Sequence, residues 1–474
     1  MSRIIGRVLL GVAASMMGLS AAHADEARQA YLMQVRSALL DSPLHQLRGR
    51  PVALSLDECV RLALAHNAKI GASDHAIDAA KAQQREAHAR GWPVFEYEYR
   101  TAPVPRDLSD AAGSFFSGDL AWFHSLSLKV GIPLYAFGKL SIAQALAERG
   151  VVAEHEKKRK EGASAVAKVR QLYYGVQLAE ELAGVSQEAI DRLTERIEID
   201  RDEARKKRVS PVEQLRLQIV RAEIEKQLAE ARTKQRLALE GLRIQVGLPE
   251  MTPVTVTSRA LHARRVSLAS IDAYLQEART GRPDARLVDI GVEAKALEYQ
   301  LERKKDLPDI GVGGFVDMGR TIGSIRGITS TDDFNHPFRY ARAGVGVQLK
   351  GRFDPHGGAA RIRKKRSEYY KVTLERDLAK EGIALEVRQT FLEAKAAHEQ
   401  VMRADESREL ARRMFFLTKS NNELGIGDSR EYADAVQMLL MTQGRYFEAV
   451  FAWNSALASL DDKIGLVPYA ESME

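Results

Sequence analysis

The sequence predicts a mainly α-helical chain with a membrane β-barrel. Three observations predict this fold class: two very long helical patterns that are each broken once, four segments in which apolar and polar residues alternate, and a recurrence of this order about 218 residues further on. We therefore expect duplicated long helical hairpins that form a trimeric α-helical barrel, and four β-strands per chain that contribute to a shared 12-stranded barrel.

Residues 1–24 have the layout of a secretory signal peptide. Arg3 and Arg7 precede an apolar run over 8–22, and Ala-His-Ala at 22–24 gives the small-x-small cleavage pattern. The alternative is a membrane anchor, but the run is shorter than the ~20 residues that a membrane-spanning helix needs. The exported chain is expected to start at Asp25.

Composition and motif content argue against several classes of function. The 474 residues carry a net charge of +6 from 70 basic and 64 acidic side chains, and no cluster pairs basic residues with stacking aromatics, so we expect no nucleic-acid partner. The eleven histidines are scattered, and the single cysteine, Cys59, lies on an apolar helical face. We therefore expect no enzyme, no cofactor, no metal site and no intramolecular disulfide.

The first long helical pattern is broken at "KKRVSPVEQLRL". Apolar residues recur at three and four spacing on both sides of this stretch, which predicts helices over 139–209 and 211–246, roughly 107 Å and 54 Å long. Ser210 is placed as an N-cap, with Pro211 and Glu213 at the first and third helical positions. The break is thus predicted to be the tip of a helical hairpin.

The same order recurs in the second half of the chain. "VRQLYYG" at 169 matches "VRQTFLE" at 387, and the Gly-Leu pair at 247 matches the pair at 465, each offset by 218 residues. The same offset moves the first tip to Asp428, inside "LGIGDSREYADA". A second hairpin is therefore predicted.

These patterns predict a first repeat at 25–247, with helices over 55–90, strands over 94–101 and 122–132, and the hairpin 139–246. A connector at 248–267 leads to the second repeat at 268–466, with helices over 268–306, strands over 309–317 and 340–350, and the hairpin 358–464. Residues 467–474 form a C-terminal tail. Loops 102–120 and 319–337, rich in Gly, Ser and Asp, are expected on the external side.

The four strands are predicted from strict alternation. In the first, Phe95, Tyr97 and Tyr99 alternate with charged residues, and each segment of about ten residues has one apolar and one polar face, as in outer-membrane barrels. The alternative is a soluble antiparallel sheet packed on the helices. Four strands cannot close a barrel, and open edges are not tolerated in lipid, so three chains with twelve strands are inferred.

The chain resembles the TolC family of outer-membrane efflux proteins. The resemblance rests on "LSLDECVRLALAHN", on "GIPLYAFGK" and "LKGRFDPHGG" at the strand-to-helix turns, on the "VRQ" pair and on the Gly-Leu closures. It implies a homotrimer that forms an outer-membrane channel continued by a helical tunnel across the periplasm, in a tripartite efflux or type I secretion system. The implied partners are a periplasmic membrane-fusion adaptor, an inner-membrane pump of RND, ABC or MFS type, and outer-membrane lipid.

The resemblance also places candidate sites at the hairpin tips. The family pattern Gly-x-x-Ser-x-x-Asp-x-x-Asp falls on Gly425, Asp428, Glu431 and Asp434 in the second repeat, whereas the first repeat lacks the glycine and the last acid. Candidate residues for adaptor contact are Arg208, Val209, Ser210, Pro211, Gly425, Ile426, Gly427 and Asp428. Candidate gate residues are Glu431, Asp434 and Glu213. The alternative is that Glu431 and Asp434 only cap a helix.

The remaining features have structural interpretations as well as functional ones. Pro133, Gly138, Pro355 and Gly357 are predicted to form the strand-to-helix turns. The basic run "RIRKKR" at 361–366 is either a solvated helix face or a contact for lipid phosphates or anions. A periplasmic coiled-coil structural protein or an adaptor stays open as an alternative function, but neither explains the four amphipathic strands.

Overall fold

The computed structural model describes residues 49–205, 211–327, 337–351, 354–424 and 429–466. The predicted signal peptide and C-terminal tail, and the predicted tip residues 208–210 and 425–428, lie outside this part. The elements are β1 (Val52–Leu54), α1 (Leu56–His66), α2 (Ala68–Ala89), β2 (Val94–Pro105), α3 (Ala111–Ser117), β3 (Leu120–Tyr135), α4 (Lys139–Arg205), α5 (Pro211–Gln245), β4 (Val254–Val256), α6 (Ile271–Gly281), α7 (Pro283–Lys304), β5 (Asp309–Ile322), β6 (Tyr340–Lys350), α8 (Pro355–Glu423) and α9 (Ser429–Ile464).

The chain divides into two compact units that do not coincide with the two sequence repeats. We call the first the strand unit, which comprises Ala72–Glu161 and Asp272–Val387, and the second the hairpin unit, which comprises the chain up to Gly71, Gly162–Ile271 and Arg388 onward. Each unit takes residues from both repeats. The long helices α4 and α8 contribute residues to both.

In the strand unit, helices and strands follow the same lateral order. The sheet is antiparallel with the order β2-β3-β5-β6. Ion pairs of 2.5–2.8 Å link neighbouring helices in the order α2-α4-α7-α8: Lys158–Asp74, Lys160–Asp284 and Lys380–Asp289. Each strand is joined in the chain to the helix that has the same place in the lateral order: α2 with β2, α4 with β3, α7 with β5 and α8 with β6.

Three of the four strands are longer than the alternation predicts. β2 runs to Pro105 and not to 101, β3 covers Leu120–Tyr135, and β5 runs to Ile322. Pro103 and Pro105 belong to the predicted loop 102–120 but extend β2, which is an edge strand of the sheet in the single chain, where proline is tolerated. The predicted loop 102–120 is therefore shorter than expected, and it contains the short helix α3.

The hairpin unit holds a hydrophobic core where the connector returns to the start of the first repeat. β1 and β4 pair in parallel, with Val52 opposite Val254, so that residues 248–267 contain a strand that the sequence patterns did not predict. Cys59, Val169 and Trp453 are almost fully buried in the core beside this small sheet. Cys59 has the packing role that the helical pattern indicated.

The repeated Gly-Leu pairs end the returning helices. Gly247 and Gly465 have φ of +73° and +80°, a conformation that glycine adopts without strain. The backbone N–H groups of Leu248 and Leu466 then donate to carbonyl oxygens five residues earlier, at 3.1 and 3.0 Å. This is the Schellman arrangement, which explains why the same two residues recur at the ends of both hairpins.

Within the part of the chain that the structure describes, no helix has both the length and the apolar character to cross a bilayer.

Candidate functional site

The strand register brings the alternating apolar residues of all four strands to one face of the sheet. Tyr97 lies opposite Leu128, Leu128 opposite Val316, and Val316 opposite Ala343, so that one row of apolar side chains crosses the sheet. The side chains of this face are open, with Tyr97 79% and Val345 85% exposed in the single chain. A face of this kind needs an apolar cover, and lipid supplies one for outer-membrane strands.

The other face of the sheet is polar. Glu98, Ser127, Asp317 and Arg342 form one row across the four strands. The Ser127 hydroxyl donates a hydrogen bond to Asp317 at 2.5 Å. This face carries charged groups of both signs, whereas the central rows of the apolar face carry no charged groups. The difference distinguishes a hydrated side from a lipid-facing side.

The two edge strands leave the sheet open. β2 and β6 each pair with one neighbour only among the described residues. Since the four strands alternate in direction, β2 and β6 run opposite to each other, and β6 of one copy can pair with β2 of another in the same antiparallel manner. The sheet can therefore be extended by further copies without a change of pattern.

The first strand-to-helix turn contains the predicted Pro133 and Gly138. The pairing of β3 with β5 shifts register between Pro133 and Tyr135, and proline is commonly found at such a bulge. Gly138 has φ of +78°, next to Phe137 at +50°. Lys139 then begins α4, and its Nζ is 2.7 Å from the Asp309 carboxylate at the start of β5. The turn is thus fixed to the neighbouring strand.

The second strand-to-helix turn is a helix cap. Pro355 is the first residue of α8. The Gly357 N–H donates to the Asp354 side chain at 2.9 Å, and the Gly358 N–H donates to the Asp354 carbonyl oxygen at 2.7 Å. A Cβ on Gly357 would lie 2.3 Å from Asp354 Oδ2, so the close approach of this carboxylate depends on the glycine.

The basic run 361–366 is divided between two roles. Arg361 forms ion pairs of 2.8–3.1 Å with Glu302, Asp306 and Asp354, and hydrogen bonds from the guanidinium to Asp354 and Glu302 raise its pKa. These contacts fasten α8 to α7 and to its own cap. Arg363, Lys364 and Arg366 are exposed in the single chain.

A second lysine of the run reinforces the same helix pair. Lys365 lies 2.8 Å from Glu298 on α7 and 3.0 Å from Glu368. Burial opposes ionisation of Glu298, but the hydrogen bonds from Lys365 and Lys295 outweigh it, so that the pKa of Glu298 is lowered. Two of the predicted basic residues, Arg361 and Lys365, therefore have a structural role.

The hairpin tips are described up to their last helical turns. Arg208, Val209 and Ser210 of the first tip, and Gly425, Ile426, Gly427 and Asp428 of the second, lie outside the described residues. Pro211 is the first residue of α5, as its sequence context predicts. The structure therefore describes the helix ends on both sides of each tip.

The candidate gate residues lie on the first turns of the returning helices. Glu431 and Asp434 are exposed on α9, while Ala433 and Val436, between and beyond them, are buried. Asp434 is 4.0 Å from Arg430, and both side chains are more than 60% exposed. Glu213, half-buried, occupies the corresponding turn of α5. The structure thus brings Glu431 and Asp434 to one face, as the i, i+3 spacing predicts.

Behind the candidate gate lies an aromatic contact that the sequence patterns did not predict. The Phe415 ring on α8 lies 5.9 Å from the Tyr432 ring on α9, and the Arg192 guanidinium on α4 lies 4.4 Å above the Phe415 ring. Burial raises the pKa of the Tyr432 hydroxyl. The contact therefore holds α4, α8 and α9 together at Tyr432, the residue that follows Glu431.

The connector is fastened to two long helices by side-chain hydrogen bonds, which sequence patterns also did not predict. Gln177 on α4 donates to the Ser258 carbonyl oxygen at 2.8 Å. On α9, Trp453 donates to the Arg264 carbonyl oxygen and Asn454 accepts from the Arg264 N–H, both at 3.0 Å. Residues 257–270 therefore cross α4 and α9 at a fixed position.

The described residues contain no cluster of three or more His, Cys, Asp or Glu side chains that could hold a metal ion.

The sequence matches a known family model, described as outer membrane efflux protein, over residues 59–266 and 274–466. The chain belongs to the outer membrane efflux protein family. No curated protein sequence matched the chain. The family consists of channels and not of enzymes.

Several solved structures of membrane proteins are similar to this chain at low sequence identity. A membrane protein from Pseudomonas aeruginosa has a TM-score of 0.71 at 15% identity, with 89% of this chain and 93% of that chain covered. The Campylobacter jejuni CmeC outer membrane channel gives 0.70 at 15%, with 87% and 86% covered. CusC gives 0.69 at 16%, with 87% and 92% covered. These similarities confirm the fold class predicted from the sequence.

As an outer membrane efflux protein, this chain is the outer-membrane channel of a tripartite efflux system, with its helical part in the periplasm. The alternative of a periplasmic coiled-coil structural or adaptor protein is not supported.

Proposed function

We propose that three copies of this chain close into one conduit with a 12-stranded barrel in the outer membrane. The observation that carries the proposal is the four-stranded sheet, which has one exposed apolar face and two open edges of opposite direction. Open edges are not tolerated in lipid, so the sheet requires further copies, and three copies give twelve strands. Outer-membrane lipid then covers Tyr97, Leu128 and Val345.

Native mass and conductance test this assembly. Three chains of 52.6 kDa, less their signal peptides, should give a particle of roughly 150 kDa in mild detergent. The same particle should insert into a planar bilayer and conduct ions. A folded monomer without conductance would count against a shared barrel.

The hairpin tips are proposed as the docking surface of the periplasmic adaptor. The tips, residues 208–211 and 425–428, are the breaks between long helices, and they are where a closed helical tunnel exposes free backbone groups at the end distal to the membrane. The adaptor in turn is proposed to connect the channel to an inner-membrane pump of RND, ABC or MFS type. Replacing Gly427 with valine should impair efflux while the trimer still reaches the outer membrane, because valine restricts the backbone where glycine does not.

A matched control distinguishes docking from assembly. Gly131→Val changes a glycine of β3, a strand that is paired on both sides within the chain, and a new Cβ there would meet nothing within 4 Å, so efflux should persist. Normal efflux by the Gly427→Val variant would remove the second tip from the docking surface.

The carboxylates of Glu431 and Asp434 are proposed to form a gate at the tunnel mouth, with Glu213 on the neighbouring helix. Three copies would bring six exposed carboxylates of this pair into one ring. The pairing of Asp434 with Arg430 is exposed and at the limit of ion-pair distance, so it neutralises the ring only weakly. Such a ring would attract divalent cations and disfavour anions.

Single-channel recording tests the gate. The double variant Glu431→Gln, Asp434→Asn should lose most of the block by divalent cations, whereas Arg430→Gln should keep it or increase it. If the pair merely caps a helix, the double variant would lose about 0.3–1 kcal/mol of stability and keep the same block. Equal block in the double variant and the parent would exclude the gate.

A further inference from the structure

The polar face of the sheet carries aromatic residues among its charges and glycines. Phe315 on β5 lies in one row with Glu96, Lys129 and Gly344. This row belongs to the face that holds Asp317, and therefore to the hydrated side of the strands. The Phe315 side chain is 42% exposed. A single exposed apolar ring is ordinary on a protein surface, whereas several rings on one water-facing wall are an exposed apolar feature of the kind that marks binding sites.

The Phe315 ring lies against Gly344 of the neighbouring strand β6. A Cβ on Gly344 would be only 2.8 Å from Phe315 Cε1, so the ring occupies the space that any other side chain at 344 would fill. The ring therefore occupies the space above Gly344, while the residue stays partly exposed.

The same arrangement recurs two rows further along the strands. Tyr340 lies opposite Gly319, and a Cβ on Gly319 would be 2.5 Å from Tyr340 Cε1. The Arg342 guanidinium lies 4.7 Å from the Tyr340 ring centroid. Phe123, in the next row, lies 6.4 Å from Tyr340, centroid to centroid. Phe338 lies 5.5 Å from Phe123.

The rings are spaced along the strand direction. Residues two apart on one strand face are about 7 Å apart, so Phe315 and the Tyr340 row are separated by roughly 14 Å, with Arg342 between them. Phe123 follows after one further row. Planar groups thus succeed one another from the middle of the sheet towards its loop end.

We propose that Phe315, Tyr340 and Phe123 form an aromatic track on the lumen wall that binds planar aromatic rings of solutes in transit. The inference rests on the proposed closure of the barrel with its polar face inward. The track selects ring systems and not a sign of charge, because its surroundings carry both signs: Lys129 lies opposite Glu96 in the row of Phe315, and Arg342 lies opposite Asp317 in the next row.

Covering glycine backbone is the competing explanation for the aromatic residues. Leucine in place of Phe315 would also cover Gly344, so a purely structural role predicts that this substitution leaves solute preference unchanged. A purely hydrophobic wall predicts that saturated rings bind at least as well as aromatic ones, since they are more apolar. Stacking on an aromatic face predicts the opposite order.

The probes are a matched pair of cations, benzylammonium and cyclohexylmethylammonium, applied to the trimer in a planar bilayer. Each differs from the other only in the aromaticity of a six-membered ring. The dissociation constant obtained from current reduction should be roughly two- to tenfold lower for benzylammonium. Benzoate should show the same preference over cyclohexanecarboxylate.

Two variants assign the preference to the track. Phe315→Leu should reduce the aromatic preference, and Tyr340→Leu should reduce it independently. Phe95→Leu is the matched control, because Phe95 lies on the apolar face and is 77% exposed there. It should leave the preference unchanged.

The outcomes separate this inference from the proposed channel. If the parent protein conducts no ions, the proposed function fails. If it conducts but binds both members of the pair equally, or if the preference survives in both lumen variants, the aromatic track is overturned and the channel stands.

Discussion

An arginine at position 128 should disrupt membrane assembly because it would put a guanidinium on the apolar face. Leu128 is the ninth of the sixteen residues of β3, and it lies between Tyr97 and Val316 in an apolar row. Near the bilayer midplane a lipid-facing arginine costs about 2–4 kcal/mol. This corresponds to a roughly 30- to 900-fold change in the folding equilibrium per chain. Three chains should lose about 6–12 kcal/mol, since the sites are far apart.

Ser127→Arg is the matched control, because residue 127 is the preceding one and faces the polar side beside Asp317. Both variants are titrated with urea in lipid vesicles, and the fraction of heat-modifiable trimer that remains at each urea concentration is read from gels. Leu128→Arg should shift the urea midpoint strongly, and Ser127→Arg should shift it little. Equal shifts, or a larger shift for Ser127→Arg, would refute the assignment of the two faces.

Three further predictions concern stability and reactivity. Asp354→Ala removes the cap of α8 and should lower the free energy of unfolding, measured by urea titration, by about 0.5–2 kcal/mol. Asp306→Ala, which removes only an ion pair to Arg361, should lower it by less than about 1 kcal/mol. A larger loss for Asp306→Ala than for Asp354→Ala would contradict the cap. The pKa of Glu298 is lowered in the folded state, so the ionised side chain stabilises the fold above its unfolded pKa of 4.5, and this stabilisation is lost as the pH falls through the lowered pKa. Glu298→Gln should therefore destabilise the protein at pH 7 and have little effect well below that range, which urea titration at the two pH values would measure. Burial raises the pKa of Cys59 to about 12, so a maleimide at pH 8 should label it only after unfolding, and rapid labelling of the native trimer would contradict its burial.

The helical part of the fold could be predicted because its signals are local. Pro211 and the Gly-Leu pairs at 247 and 465 act through backbone conformation, and the repetition of the Gly-Leu pair at a fixed offset indicates duplication directly. The alternation of the strands likewise predicts which face each side chain joins, as the register of Tyr97 and Leu128 shows. These features depend on neighbours within a few residues, which a sequence displays.

What the sequence could not reveal depends on distant contacts or on position in the sheet. The Arg192–Phe415–Tyr432 contact joins residues more than 200 positions apart, and no local pattern marks it. β4 has only three residues, too few for a recognisable period. Pro103 lies on an edge strand, a fact that only the order of the strands provides.

The shared order of strands and helices in the strand unit has a consequence for sealing. Each pair of neighbouring strands continues into a pair of neighbouring helices. The boundary between them, here called a seam, therefore runs from the membrane into the periplasm. Sideways leakage below the barrel would require two such neighbouring helices to separate. The pairs Lys158–Asp74 and Lys380–Asp289 lie along such seams. Ion pairs of modest individual stability thus contribute, through their position, to the leak-tightness of the whole conduit.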